Sequence, residues 1–175
     1  MIGAKQAWVV SSVVLYAKCL GAAMIQGGKR FAAGSRPPED KIFRKFNPTK
    51  QAQSFGVDKT AVSATALEQD IRWERIVRND LENIPMGLLV AWGSVQSGGC
   101  DAVTAAAIAT FTAARVYHTY AYAQGLQPHR GNAWLLGVAS VGVLALNSLY
   151  GLATTETAPT KPEPESRITS GDNEA

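Results

Sequence analysis

The chain of 175 residues has little with which to bind a metal or cross-link itself: two cysteines, Cys19 and Cys100, and two histidines, His118 and His129. Their spacing makes neither a disulfide framework nor a zinc site, so no metal centre is expected. No glycine-rich phosphate loop and no serine nucleophile elbow occurs. No internal repeat is present, and no domain boundary precedes the polar C-terminal tail. Charge is sparse, at 18% Asp, Glu, Lys and Arg with a net of +3. That excess sits in one loop, so nucleic-acid binding is not implied.

What the chain does have is long apolar stretches. Spans are expected at 7–28, 74–97, 101–123 and 131–153, each long enough to cross a bilayer. Lys18 interrupts the first, Arg115 and His118 the third, and Asn147 is the main polar residue of the fourth. The mean hydropathy of −0.03 averages these spans with a polar loop and tail. A cleaved signal peptide is the competing reading of the N-terminus, with Lys5 before an apolar run and Gly21-Ala22-Ala23 as the cleavage site. Apolar sequence continues past Lys18 to Ile25, which suits an uncleaved span.

The expected fold is therefore all-α: an integral membrane four-helix bundle over residues 1–153, with a basic cytosolic loop over 29–70. Residues 29–59 carry eight Lys/Arg against three Asp/Glu. Residues 97–101 read as a tight turn and 124–132 as a short loop. Four crossings put both termini on one face and both basic loops on the other, which the positive-inside rule marks as cytosolic. Residues 154–175, rich in Pro, Glu, Ser and Thr and acidic overall, read as a disordered tail.

Charge collects where the second span begins. Arg72, Arg75, Arg78, Asn79 and Glu82 fall within an arc of about 120° on a helix. The apolar residues that follow, 84–95, are too few to cross a bilayer, so this stripe enters the membrane or its interface. Pro85 frees the carbonyl of Leu81 and is expected to kink the helix beside Glu82. On the third span Arg115, His118 and Tyr122 share a face, while Tyr117 and Tyr120 lie on the other. Arg30 ends the first span and Arg130 begins the fourth. Asp80 lies off the stripe and can pair with Arg115 or Lys18. The remaining cations still outnumber the acids, and a buried cation without a counter-charge is expensive. The pattern points to a ligand with several carboxylates, and Glu82 adds a place for an amine. The bland alternatives are a solvated amphipathic helix and a structural or channel-like bundle whose charges only pair.

These pieces together resemble the membrane-associated proteins in eicosanoid and glutathione metabolism, the MAPEG family, and most of all its first-type microsomal glutathione transferases. The resemblance rests on Tyr16-Ala-Lys18, Lys29-Arg30-Phe31 and Pro38-Glu39-Asp40. It rests further on Arg72-x-x-Arg75-x-x-Arg78-Asn79-Asp80-x-Glu82-Asn83-Ile-Pro85, on Ala114-Arg115-Val-Tyr117-His118-Thr119-x-Ala-Tyr122 and on Pro128-His-Arg130-Gly131. It covers residues 8–153. The resemblance implies a homotrimer with sites at subunit interfaces. It implies glutathione as co-substrate, held by Arg30, Arg75, Arg78, Asn79, Glu82, His118, Tyr122 and Arg130. Arg130 matches the arginine at the thiol and is the expected catalytic residue, favouring the thiolate that attacks hydrophobic electrophiles or lipid hydroperoxides. Trp134 is expected in the hydrophobic substrate wall.

The implied activity is that of a detoxifying glutathione transferase with peroxidase activity. The implied location is the endoplasmic reticulum of a eukaryote or the inner membrane of a bacterium, with the site facing the cytosol and in contact with membrane lipid. Two other family activities stay open: eicosanoid synthesis of prostaglandin E or leukotriene C type, and a non-catalytic lipid-binding scaffold. Gly131 stands where the prostaglandin E synthases have serine, and Ile76-Val77 replaces their Ala-His. The loop before Arg130 is one residue short, the cytosolic loop lacks the cysteine that makes some transferases activatable, and the tail has no counterpart.

Overall fold

A computed structural model describes residues 2–156 except Pro48 and Lys59. Four α-helices make up nearly all of it: α1 (Ala4–Ala32), α2 (Ala64–Gln96), α3 (Asp101–Ala123) and α4 (His129–Glu156). Two short 3₁₀ turns, Pro38–Ile42 and Arg44–Phe46, lie in the α1–α2 loop. No strand occurs among the described residues. The protein is all-α, as expected. The tail expected to be disordered lies, from residue 157 on, outside the described residues.

α1, α2 and α4 run past the spans expected for them. Lys29 and Arg30 occupy the last turn of α1, so the loop begins only at residue 33. Ser63 caps α2, its hydroxyl accepting from the Ala66 N–H at 3.2 Å, so helix starts well before the charged stripe. With 33 residues, α2 is about 50 Å long, more than a hydrocarbon core of about 30 Å requires. The helix continues unbroken through Pro85. α4 starts at His129, which places Arg130 in its first turn rather than in the loop.

α1 and α4 are each long and apolar enough to cross a membrane by themselves. α2 and α3 each carry some of their polar groups inward, although Arg75, Arg78 and Glu82 of α2 stay exposed. Asp80, Arg115 and His118 are all buried, while Leu81, Met86, Leu89 and Val116 face outward. That inversion, apolar side chains outside and charges inside, is the pattern a lipid solvent selects.

The core is thin and made of small contacts. Leu15, Ile84 and Phe111 form one buried cluster, and Ala91, Ala107, Ile108 and Leu144 another. Gly87 sits against the tip of the Phe111 ring, where a Cβ would overlap the ring atoms. Trp8 packs at a tilt against Trp92, ring centroids 4.6 Å apart, and its indole N–H donates to the Leu88 carbonyl at 3.1 Å, tying α1 to α2.

Far from the charged stripe, Asn147 of α4 clasps the α2–α3 turn. Its Oδ1 accepts from the Cys100 N–H at 3.2 Å. Its Nδ2 donates to the Cys100 carbonyl at 3.1 Å and to Thr104 Oγ1 at 2.8 Å. Thr104 in turn bonds Ser94 at 2.9 Å. The polar residue that interrupts the fourth span is therefore a satisfied structural group.

Candidate functional site

The interior is organised by one carboxylate. Asp80 of α2 takes an ion pair from Lys18 of α1 and another, at 3.0 Å, from Arg115 Nη2 of α3. Arg115 and Asp80 are each 1% exposed. The same Arg115 nitrogen donates to Asn79 Oδ1 at 2.5 Å. Both partners that the sequence offered for Asp80 are thus engaged, and three helices are fastened at one level. Two cations share one anion, so this centre keeps a net positive charge. The Asn79 oxygen already accepts from Arg115, and its two amide N–H bonds are the donors it can offer a ligand carboxylate.

A second group forms where α3 meets α4. The Arg130 guanidinium stands 4.5 Å above the Tyr122 ring, within cation–π range. His118 meets the same tyrosine edge-on, with ring centroids 5.8 Å apart. His118 is buried, and its Nδ1 has no hydrogen-bond partner among the described residues. The Gln127 amide, with its oxygen turned to the guanidinium, accepts from Arg130 at 2.5 Å and 3.1 Å.

The local sequence makes this geometry. α3 ends with Leu126 N–H bonding the Ala121 carbonyl at 2.8 Å and Gly125 N–H bonding the Tyr122 carbonyl at 3.1 Å. That is a Schellman ending, and it needs a left-handed residue, supplied by Gly125 at φ +69°. The reversal lands α4's first turn on the last turn of α3, with Arg130 over Tyr122. Arg72 of α2 reinforces the corner by donating to the Tyr122 carbonyl at 3.1 Å, while Glu68 holds its other arm at 2.6 Å. Two residues left without a role in the sequence also hold the corner: Tyr117 and His129 bond at 3.0 Å across the turn. Their aromatic and imidazole types gave no signal, since their meeting depends on the turn.

The remaining predicted site residues lie elsewhere. Arg30 is exposed, donates to the Ser35 carbonyl at 3.1 Å, and borders a cavity of about 540 Å³ with Asp70 and Glu74. Arg78 pairs with Glu74 at 2.8 Å across an exposed helix face. Such a pair contributes little, so a ligand carboxylate can displace Glu74 at small cost. Arg75 is exposed. Glu82, also exposed, stands at the mouth of a groove of about 340 Å³ between α2, α3 and α4, floored by Phe111, Arg115 and Gly137.

Within one chain, then, His118, Tyr122 and Arg130 come together, and Arg30 and Arg78 both approach Glu74. Among the described residues no hydrogen bond, ion pair or ring contact joins Arg75, Arg78 or Glu82 to Arg130. The charge argument also changes. Arg115 is offset by Asp80, Arg72 by Glu68, and Arg75 and Arg78 are exposed. The burial cost of a cation surplus, expected from sequence, is confined to the Lys18–Asp80–Arg115 centre.

The family model of the MAPEG family matches residues 7–150. The chain belongs to the MAPEG family. The matched stretch contains all eight predicted glutathione contacts and the whole buried centre. Membership, with two helices apolar enough to cross a bilayer, makes this a membrane protein. The family's chemistry is glutathione-related or of eicosanoid type, and its members use glutathione. No curated protein matches the chain.

Proposed function

We propose that this protein is a membrane-bound glutathione transferase, with peroxidase activity toward lipid hydroperoxides. The carrying observation is Arg130: a half-buried guanidinium over Tyr122, beside buried His118, at the loop end where α3 passes into α4. In this reading all four helices cross the bilayer, both termini lie on the non-cytosolic face, and the site opens to the cytosol. Its membrane is the endoplasmic reticulum or a bacterial inner membrane.

Glutathione suits the side chains available. Its carboxylates match Arg30, Arg75, Arg78 and the Asn79 amide, and its amine matches Glu82. The separation of these groups from Arg130 within one chain fits a site completed between subunits; on the family resemblance we propose that the assembly is a homotrimer, in which the α2 stripe of one subunit faces the α3–α4 corner of the next. His118, with a free ring nitrogen, and Tyr122 line the thiol end. The proton on sulfur leaves to water as the cationic field of Arg130 stabilises the thiolate. The thiolate then displaces a leaving group from an apolar electrophile. Alternatively it attacks the outer oxygen of a hydroperoxide; the O–O bond breaks, the alkoxide takes a proton from water to become the alcohol, and the glutathione sulfenic acid so formed condenses with a second glutathione to give the disulfide and water. Trp134, exposed on α4 near this corner, stands where an apolar substrate would arrive from lipid.

The test is Arg130→Leu in detergent. Glutathione still binds through the α2 stripe, but thiolate absorbance at neutral pH and turnover of a chloronitrobenzene both fall. A free thiol ionises near pH 8.5, and a neighbouring cation lowers this by more than about one unit. The activity, which rises as the thiol ionises, therefore moves to higher pH in the variant. Unchanged turnover with an unchanged pH profile would remove Arg130 from the mechanism.

A further inference from the structure

Just beyond α1 the loop presents an apolar face that the fold leaves open. The two 3₁₀ turns carry Ile42, Phe43 and Phe46, which are 75%, 45% and 66% exposed. Beneath them lies a cavity of about 520 Å³ against the last turns of α1, lined by Met24, Gly27, Gly28, Phe31, Phe43 and Phe46. Gly27 and Gly28 keep the floor low by contributing no side chain. The segment is held in place: Arg36 lies 4.4 Å over the Phe31 ring and pairs with Asp40 at 2.5 Å. The Phe55 and Gly56 N–H groups return to the Arg36 and Gly34 carbonyls, both at 3.0 Å. Lys41 and Lys45 alternate with the apolar residues, both exposed and neither in an ion pair among the described residues. Glu39 is the one exposed acid of the two turns, since Asp40 is taken up by Arg36.

From this we infer that the turns at residues 38–46 form a binding site for an anionic membrane phospholipid. One acyl chain lies in the cavity between Met24 and Phe46, and the phosphate meets Lys41 and Lys45. Three observations select this occupant. The cavity is continuous with the outward, apolar side of α1, where Leu20 and Met24 are exposed on a helix apolar enough to span a bilayer. It lies at that helix's C-terminal end, where the headgroup region begins. The free charges at its rim are two lysines against the one carboxylate of Glu39, a cationic surplus that complements the anionic leaflet and argues against a second copy bringing the same lysines. The inference rests on α1 crossing the membrane and is independent of glutathione chemistry.

The experiment titrates the full-length protein in detergent with fluorescently labelled phosphatidylglycerol and phosphatidylcholine, and measures glutathione binding in parallel. Phosphatidylglycerol binds more tightly. Each basic residue near an anionic surface contributes about fivefold in affinity, so Lys41→Gln with Lys45→Gln weakens phosphatidylglycerol about 25-fold and leaves phosphatidylcholine unchanged. Phe43→Ser with Phe46→Ser weakens both lipids, and glutathione binding stays as in the parent. Equal affinity for the two lipids, or no response to the lysine pair, overturns the inference. So does full displacement of the lipid by inorganic phosphate, which would make this a simple anion site. Retained lipid binding in the phenylalanine pair places the lipid elsewhere and overturns it too. Loss of glutathione binding alone would strike the proposed activity and leave the lipid site standing.

Discussion

Replacing Asp80 by Asn should be among the most damaging isosteric changes in this protein. The shape is kept and one negative charge is removed. Lys18 and Arg115 are then left facing each other in the interior, with Arg115 still 1% exposed and, among the described residues, the Asn79 amide as its remaining acceptor. Removing one member of a buried ion pair costs about 3–5 kcal/mol, because the remaining charge stays buried without compensation. At about 1.4 kcal/mol per tenfold, the folded-to-unfolded ratio falls by two to more than three orders of magnitude. Lys18→Met should cost far less, since it leaves one cation against one anion. Arg115→Met in the Asp80→Asn background should recover part of the loss, with a coupling of about 0.5–3 kcal/mol. The assay is helix content by circular dichroism during denaturant titration in mild detergent. A loss below about 1 kcal/mol for Asp80→Asn, a value typical of exposed pairs, would refute the claim that this centre is dry and charged. Additive single and double variants would refute the direct pairing.

Gly87→Ala brings a methyl into the Phe111 ring and should destabilise by about 1–3 kcal/mol, read in the same titration. Asn147→Ala leaves the Cys100 N–H without its acceptor and Thr104 without its donor, so a loss of about 1–3 kcal/mol is expected, with faster hydrogen exchange at residues 97–104. Glu82→Gln, Arg75→Ala and Arg78→Ala should each weaken glutathione about tenfold or more, since a charge-assisted hydrogen bond contributes about 1.5–3 kcal/mol. Unchanged affinity by calorimetry in all three would sink the assignment of the α2 stripe. Gly125→Val forces a β-branched residue to φ +69° and should lower turnover more than glutathione affinity, because it displaces Arg130 from Tyr122.

Much of this architecture was legible in the order of apolar and polar residues. Four apolar stretches became four helices, Ser97-Gly98-Gly99 became the turn between α2 and α3, and Gly98 takes its left-handed φ of +74°. The pairing of Asp80 was legible because it stands off the arginine stripe, pointing inward where Lys18 and Arg115 also point. The early start of α2 was not. Its first turns mix alanine, leucine and charged residues without an apolar run, and only the Ser63 cap marks the boundary. Nor was the folded-back loop, whose hold on α1 comes from backbone bonds and from positive φ at Lys50 and Phe55, residues that do not announce such a turn.

The candidate site illustrates a sharper limit. Sequence spacing put Arg75, Arg78 and Glu82 on one face of α2, and His118 and Tyr122 on one face of α3, and both faces exist. A helical period says nothing about whether two such faces look at each other. In one chain they meet only in part: Arg72 and Asn79 of the stripe bond the Tyr122 carbonyl and Arg115 of α3, the charges that converge are Lys18, Asp80 and Arg115, and Arg75 and Glu82 stay exposed. The case for an anionic ligand therefore passes from the energy of buried charge to the placement of exposed charge. Exposed arginines on a membrane protein are inexpensive and common, so they are informative here only through what stands opposite them. That is why Arg130 carries the functional reading. It is fixed by a Schellman turn, a tyrosine face and a glutamine side chain, an amount of local structure that a merely solvated arginine does not require.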